Sequence, residues 1–180
     1  MKRIASLTIA LVAMLFLSGC VGSEKLPEDL EEHESEYGFS IDLPKGWVIR
    51  EWRMPSPGDF DLECYPSEHG KDAKNPDVEL RIWNTGTRNL DDFVRDFYDG
   101  EMPEGISDRR IADRAGKKVI SRDDENEYTT FYFQIRSERD GLSKRYYYCR
   151  LLFRRELSSF DDADWNRFVD RIAGSLELED

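Results

Sequence analysis

The chain has little cysteine and histidine, no repeat, and no long hydrophobic run after its first twenty residues. Its three cysteines are too few for one of the small secreted scaffolds that disulfides hold together. Without a run of about 18 apolar residues beyond the N-terminus, a helical-bundle membrane protein is excluded. Without a repeat, solenoids and propellers are excluded. At 180 residues, the sequence predicts one domain with short appendages.

Catalytic and metal-binding motifs are also missing. The sequence contains no G-x-S-x-G, Walker A or dinucleotide-binding fingerprint. Its two histidines, His33 and His69, have no cysteine or carboxylate at zinc spacing. The acidic runs 123–127 and 161–164 lack the glycine and the distal glutamate of an EF-hand loop. We therefore expect no metal and no cofactor, and no residue stands out as catalytic.

Negative charge dominates what is present. Acidic residues number 38 and basic residues 26, for a formal net charge of −12. Nucleic-acid-binding domains are usually basic, because lysine and arginine neutralise the phosphates. The composition therefore excludes broad binding to DNA or RNA.

The first twenty residues follow the pattern of a leader peptide. Two basic residues precede an apolar core over 4–17, the length of a signal-peptide core and short for a bilayer span. Leu17-Ser18-Gly19-Cys20 then resembles the lipobox of prokaryotic lipoproteins. The resemblance implies that 1–19 are cleaved off and that the Cys20 sulfur carries a diacylglycerol. An ordinary secretory leader is the alternative.

Acylated Cys20 would attach the protein to a cell membrane or outer membrane on its extracytoplasmic side. Each methylene buried in the bilayer contributes about 0.8 kcal/mol to membrane binding. Two acyl chains therefore anchor a protein stably, whereas a single chain gives only marginal binding. Loss of the leader with its two basic residues changes the net charge from −12 to −14. Anionic headgroups repel so acidic a body, so the lipid must supply the attachment.

Seven of the 16 residues in the segment 21–36 are acidic, and the segment has no usable hydrophobic period. Such a composition cannot bury enough apolar surface to become ordered, so we predict a flexible tether over 20–36. A helix docked through Leu26 and Leu30 is the alternative. The globular domain is predicted over 37–180.

Both strands and helices are predicted in that domain. Alternating apolar residues and turn signals predict strands over 39–43, 47–52, 60–64, 78–82, 109–113 and 117–122. A long hairpin is predicted over 128–136 and 145–155, turning at Asp140-Gly141. Apolar stripes predict one helix over 90–97, capped by Asn89, and a second capped by Ser159.

The stretch 37–47 reads Y-G-F-S-I-D-L-P-K-G-W and resembles the opening hairpin of PsbP/Mog1-like domains. The helix over 90–97, the long hairpin and the closing helix follow in the same order. The resemblance implies an α+β fold, in which helices flank an antiparallel sheet as an α/β/α sandwich. Known members are non-enzymatic partners of larger assemblies, although a shared fold does not transfer a role.

Cys64 and Cys149 are the cysteines that remain once Cys20 is acylated. Both fall on the apolar faces of predicted strands. They form either a disulfide, worth roughly 4–5 kcal/mol in the chain-entropy model, or two buried thiols that pack as small hydrophobes. The sequence does not choose between them, since a disulfide needs Cα atoms within about 7 Å.

One face of the predicted hairpin combines tyrosines and arginines, the residue types that are enriched in binding hot spots. Positive charge in so acidic a domain favours an acidic or carboxylate-bearing partner. The alternative is that a helix covers this face, with arginine stems packed beside aromatic rings. The residues are Tyr132, Arg136, Tyr146, Tyr148, Arg150 and Arg154.

Together these features predict a membrane-anchored extracytoplasmic lipoprotein with a non-catalytic protein-binding or assembly role. Its expected partners are the membrane, through the lipid on Cys20, and an unidentified protein. The alternative is an extracytoplasmic hydrolase that uses a pair of acidic residues in a cleft. Two facing buried carboxylates in a deep pocket would favour the hydrolase, and a flat or filled sheet would favour binding.

Overall fold

The computed structural model describes residues 25–53, 59–66, 78–87, 89–140, 143–157 and 159–179. Over these residues the fold is mainly β, with 56% strand and 15% helix. In chain order its elements are β1 (Leu30–Ser35), β2 (Phe39–Pro44), β3 (Val48–Arg53), β4 (Phe60–Tyr65), β5 (Val78–Thr85), α1 (Leu90–Arg95), β6 (Ser107–Ile111), β7 (Arg114–Arg122), β8 (Asn126–Asp140), β9 (Ser143–Glu156), α2 (Asp162–Ser175) and β10 (Glu177–Leu178). Neither helix in this part of the chain is long and apolar enough to cross a bilayer.

Two antiparallel sheets are present. Seven strands form the larger one in the order β3-β4-β5-β9-β8-β7-β6, and three form the smaller one in the order β1-β2-β10. The long hairpin β8–β9 lies near the middle of the larger sheet, where β5 and β7 pair with its outer edges. Its predicted turn lies partly outside the described residues, since Asp140 pairs with Ser143 while Gly141 is not described.

The main core lies between the inner face of the larger sheet, the small sheet and α2. Side chains that alternate along the central strands point into it, because successive residues of a strand face opposite sides. Their partners come from β2 and from one side of α2. The most deeply buried of them are Ile41, Leu43, Leu62, Leu80, Phe133, Leu151, Phe153, Trp165 and Ile172.

A second, smaller cluster lies on the outer face of the larger sheet, under α1. Phe93 and Val94 of this helix pack against Val119, Tyr132 and Tyr148. Phe93 and Tyr148 stack with ring centroids 4.5 Å apart. Asn89 is the N-cap of α1, as predicted, and its side chain accepts a hydrogen bond from the Asp92 N–H at 2.8 Å.

The expected α/β/α sandwich is wrong. The helix on the outer face has only six residues, about 9 Å of length, and cannot cover a seven-stranded sheet. The inner face is covered by a single 14-residue helix together with a second sheet. The resemblance implied helical layers, but on the outer face the described residues form only α1, which ends after six residues.

The acidic segment predicted as a flexible tether is ordered in its second half. Residues 30–35 form β1, which pairs with β2 from Leu30↔Pro44 to Ser35↔Phe39. Leu26 and Leu30 also pack against the main core, Leu30 from β1 and Leu26 from the residues before it, and neither belongs to a helix. Backbone pairing and these two leucines order a segment whose composition alone favours disorder.

The start of α2 also differs from the prediction. Asp161 caps this helix, and its side chain accepts a hydrogen bond from the Ala163 N–H at 2.8 Å. Ser159, the predicted cap, instead donates its hydroxyl to the Glu156 carbonyl at 2.6 Å and closes the preceding turn.

A buried ion network joins the base of the long hairpin to α2. Arg155 is 3% exposed and contacts both Glu127 on β8 and Asp162 in the first turn of α2. Its Nη1 also donates to the Phe160 carbonyl at 2.9 Å. Arg122 binds the other oxygen of Glu127 from the solvent side, Nε to Oε2 at 2.7 Å. These contacts fix the position of α2 under the sheet.

Candidate functional site

The outer face of the larger sheet carries most of its unusual polar side chains. Strand register sets them in rows, because directly opposite residues point to the same face. In one row Asp61 on β4 stands opposite Arg81 on β5, and Arg81 stands opposite Arg150 on β9. In the adjacent row Glu63 stands opposite Glu79. Four charged side chains on β4 and β5 and the guanidinium of Arg150 on β9 thus lie in two adjacent rows.

These groups form ion pairs. Asp61 is 1% exposed and accepts hydrogen bonds from Arg81, with Nε to Oδ2 at 2.8 Å. Arg150 donates to Glu79, whose other oxygen lies 4.0 Å from Arg81. The Tyr65 hydroxyl donates to Glu63. Every carboxylate of the two rows is therefore engaged by a cation or a phenol.

Trp83 follows on the same face of β5, and both arginines pack against its ring. The guanidinium carbons of Arg81 and Arg150 lie 5.6 and 5.4 Å from the Trp83 ring. Phe97, just after α1, lies 5.3 Å from the ring of Trp83 and 5.4 Å from the Arg150 guanidinium. We call these four residues, Arg81, Trp83, Phe97 and Arg150, the Trp83 patch.

The Trp83 patch is only partly covered. Phe97 is 37% exposed, one of the few large hydrophobic side chains that reach solvent in the described part of the chain. The Arg81 side chain is 29% exposed and that of Arg150 is 18% exposed. Trp83 is half-buried. α1 covers the sheet next to this patch but leaves its outer side open.

Burial controls the electrostatics of this face. It raises the pKa of Asp61 from its ordinary 3.8 to about 6, against the opposing effect of Arg81. One Asp61 oxygen, Oδ1, is buried without a hydrogen-bond partner among the described residues. Burial, helped by the hydrogen bond to Glu63, also raises the pKa of Tyr65 to about 12. Proton transfer at neutral pH does not suit a phenol held in this way.

In the structure, the residues of the predicted partner surface do not form one exposed face. Tyr132 and Tyr148 are 2% and 0% exposed under α1, and burial raises the pKa of both phenols. Arg150 is ion-paired to Glu79. This corresponds to the alternative in which a helix covers the face. Tyr146 and Arg154 stay half-buried at its two ends.

Arg136 leaves the predicted face altogether. A register shift between Gln134 and Arg136 inserts an extra residue into β8, so that Arg136 pairs with Tyr147. Such a bulge moves every later side chain of the strand to the opposite face. The Arg136 guanidinium accordingly lies 4.6 Å from the Tyr147 ring, away from Tyr148.

Cys64 and Cys149 are buried thiols, and no disulfide joins them. Cys64 pairs with Val78 and Cys149 with Ile82, so β5 lies between them. Two strand spacings of about 5 Å and an offset of four residues, about 13 Å along the strands, separate them. A disulfide needs Cα atoms within about 7 Å. The structure therefore supports the interpretation as small buried hydrophobes.

Other predicted positions contribute little to a site. His33 Nε2 lies 2.8 Å from Glu51 Oε1, a contact that joins the two sheets. His69 and the lipidation residue Cys20 lie outside the described residues. Among the side chains that the structure places, no group of three or more metal-ligating residues converges. Two shallow grooves of about 480 and 510 Å³ lie beside Asp113 and Lys117, away from the paired carboxylates.

Sequence reasoning missed Arg81, Trp83 and Phe97 as site residues. A signal for the first two was present. Val78, Leu80 and Ile82 were assigned to the core face, so strict alternation puts Glu79, Arg81 and Trp83 on the other face. Nothing local predicts that Phe97 and Arg150 meet there, because they come from elements far apart in the chain.

Comparison with known proteins does not assign the chain to a family. No family profile and no curated protein matches the chain. A crystal structure of a protein from Bacteroides thetaiotaomicron VPI-5482 is similar over 83% of this chain, with 12% identity and a TM-score of 0.37. The matched region is 48% of that longer protein. The resemblance to PsbP/Mog1-like domains thus stays a prediction from the sequence.

Proposed function

We propose that the protein is a lipid-anchored extracytoplasmic binding protein without a catalytic role, and that the Trp83 patch is its contact surface. The carrying observation is that two ion-paired guanidinium groups pack against the Trp83 ring, with Phe97 exposed beside it. Tryptophan and arginine are the residues most enriched in binding hot spots.

Preorganisation supports a contact role. Asp61 holds Arg81 and Glu79 holds Arg150, so both arginine side chains are already ordered before a partner arrives. A side chain that is fixed in advance loses less entropy on binding, by about 0.5–1.5 kcal/mol for each such group. The patch therefore presents a rigid surface.

The charge balance of the patch changes the expected partner. Each arginine faces a carboxylate, so the patch is close to neutral although the whole chain carries −12. Its exposed area is aromatic and guanidinium in character. We infer that the partner contributes an apolar or aromatic side chain, which packs on Phe97 and Trp83, and that an acidic surface is not required.

The same ion pairs weigh against the hydrolase alternative. A carboxylate pair that hydrolyses a glycosidic bond needs one group free to protonate and one free to attack, facing each other across a substrate. Here Asp61 and Glu79 are neighbours on the sheet and are bound to arginines. The sheet face is filled where they lie, which favours binding.

Photocrosslinking from the patch tests the contact surface. A photoreactive phenylalanine analogue replaces Phe97 in cells that produce the full chain, and Ile120 is the matched control. Ile120 is 40% exposed, close to the 37% of Phe97, but pairs with Thr129 on the inner side of the sheet. A discrete crosslinked protein from position 97 alone supports the proposal. Equal products from both positions, or none from 97, would refute it.

Detergent partitioning tests the anchor separately. Because Cys20 follows Leu17-Ser18-Gly19, we expect the processed protein to enter the detergent phase and to gain the mass of a diacylglycerol on residue 20. Cys20→Ser removes the sulfur that carries the lipid, and this variant should stay in the aqueous phase. If the unaltered chain also stays there with its leader attached, the anchor proposal fails.

A further inference from the structure

The folded body begins much closer to Cys20 than the composition of the N-terminal segment predicts. Leu26 already packs against the main core, and Glu28 accepts a hydrogen bond from Arg171 of α2 at 2.7 Å. Asp29 accepts another from the Lys45 N–H at 3.0 Å, and β1 starts at Leu30. Only the residues between Cys20 and Leu26 remain as a connection.

That connection is short. Six residue steps span at most about 20 Å, even when the backbone is fully extended. A spacer over the whole of 20–36 would instead let the domain move some tens of ångströms from the bilayer. The point where the chain joins the body is therefore held close to the lipid.

Strand register shows which part of the body is near that point. The N-terminal connection leads to β1, whose first residue, Leu30, pairs with Pro44 at the end of β2. The turn after Pro44 leads to Val48, the first residue of β3. Val48 lies opposite Tyr65, and one step further Val78 lies opposite Phe153 of β9. We call the level of Pro44, Val48 and Phe153 the anchor end.

The hairpin β8–β9 extends from the anchor end in the opposite direction. Ser143 is ten residues from Phe153 along β9, which corresponds to about 33 Å at 3.3 Å per residue. β7 pairs with β8 only as far as Phe133, and β5 pairs with β9 only as far as Tyr146, so the hairpin protrudes beyond both neighbours. We call residues 136–140 and 143–145 the hairpin arm.

We propose that the lipidated protein lies on the membrane in one orientation, with the anchor end against the lipid headgroups and the hairpin arm directed away from them. This rests on the proposed acylation of Cys20. Charge at the anchor end is mixed, because Lys25, Lys45 and Arg171 are exposed there, but so are Glu28, Asp29 and the acidic turn 123–125 just beyond Phe153. The lipid on Cys20, and not charge, therefore has to hold this end at the headgroups.

The orientation narrows the class of partner. Trp83 lies five residues along β5 from Val78, about 17 Å from the anchor end. With the connection added, the Trp83 patch stays within about 40 Å of the bilayer. We infer that the partner is a protein with an extramembrane surface at that height, and not one that diffuses far from the membrane.

Depth-dependent quenching tests the orientation. The lipidated full chain is reconstituted in phosphatidylcholine–phosphatidylglycerol vesicles that contain a short-range headgroup quencher. A fluorophore is attached through Lys45→Cys at the anchor end or through Lys144→Cys on the hairpin arm. Selective labelling is possible because Cys64 and Cys149 are 0% and 1% exposed and the Cys20 sulfur carries the lipid.

We expect strong quenching at position 45 and little at position 144. A variant with a 20-residue Gly-Ser insertion after Cys20 provides the matched control, since its connection averages about 25 Å and should weaken quenching at position 45. Equal quenching at both positions, or stronger quenching at 144, would overturn the orientation. Failure of the chain to associate with vesicles at all would count against the anchor instead.

Discussion

The two faces of the larger sheet are built from the same strands but hold different chemistry. Leu151 on the inner face is 0% exposed inside a cluster of aliphatic and aromatic side chains. Its neighbour Leu152 points outward into rows of paired charges and is half-buried. The inner face stabilises the fold by removing apolar area from water. The outer face combines ion pairs with the cluster under α1, and the Trp83 patch is its partly exposed region, the surface that we propose contacts a partner.

Truncation of these two leucines is the sharpest test of the contrast. Leu151→Ala leaves a cavity in a packed core and should cost about 3–4 kcal/mol of unfolding free energy. Leu152→Ala removes the same atoms from a half-covered position and should cost about 1 kcal/mol. Urea denaturation of both variants gives the two values. Similar losses would show that the two faces do not differ as described.

Arg155 is the exception on the inner face, a buried charge among apolar groups. Arg155→Met leaves Glu127 without its buried partner and should lower the unfolding free energy by about 3 kcal/mol. Arg122 contacts the same carboxylate but its side chain is 56% exposed, so Arg122→Met should cost no more than about 1 kcal/mol. Thermal unfolding of the pair measures the difference. A larger loss of unfolding free energy in Arg122→Met than in Arg155→Met would show that the solvent-side contact of Glu127 stabilises the fold more than the buried one.

Asp61 gives the stability of the outer face a pH dependence near pH 6. Its folded-state pKa of about 6 exceeds the ordinary 3.8, so the folded protein holds the proton more tightly than the unfolded chain does. The resulting stabilisation is present at low pH and is lost as the pH rises through 6. Relative to Asp61→Asn, the unaltered protein should gain about 1 kcal/mol per pH unit between pH 5.5 and 4.5.

Unfolding curves of the two proteins across that pH range measure this gain. The comparison with Asp61→Asn cancels the titration of the other carboxylates, which both proteins share. A constant difference between the two proteins would mean that Asp61 titrates normally and that its surroundings are wetter than described.

Local patterns in the sequence predicted most of the strands. Alternation at Phe39–Leu43 and Val78–Ile82 predicts β2 and the first part of β5, and Asn89 caps α1 where the pattern puts the cap. These features depend on period and on turn chemistry, which a few neighbouring residues determine. For the same reason the long hairpin β8–β9 was recognisable before its contacts were known.

Features that depend on distant residues were not predicted. The strand β1 exists because β2 offers its edge to an acidic segment that has little apolar surface of its own. The bulge at Gln134–Arg136 moves Arg136 to the other face, and nothing in its immediate neighbours signals it. The Trp83 patch brings together β5, α1 and β9. Pairing and packing between remote segments decide all three.

The most direct test of the account separates contact from stability in one crosslinking measurement. With the photoreactive group at position 97, Trp83→Ala should reduce the yield of crosslinked partner at least tenfold, since the ring that both arginines pack against is gone. Leu151→Ala, although less stable, should keep the full yield at a temperature where circular dichroism shows both variants folded. Loss of the crosslink in Leu151→Ala with retention in Trp83→Ala would contradict the account.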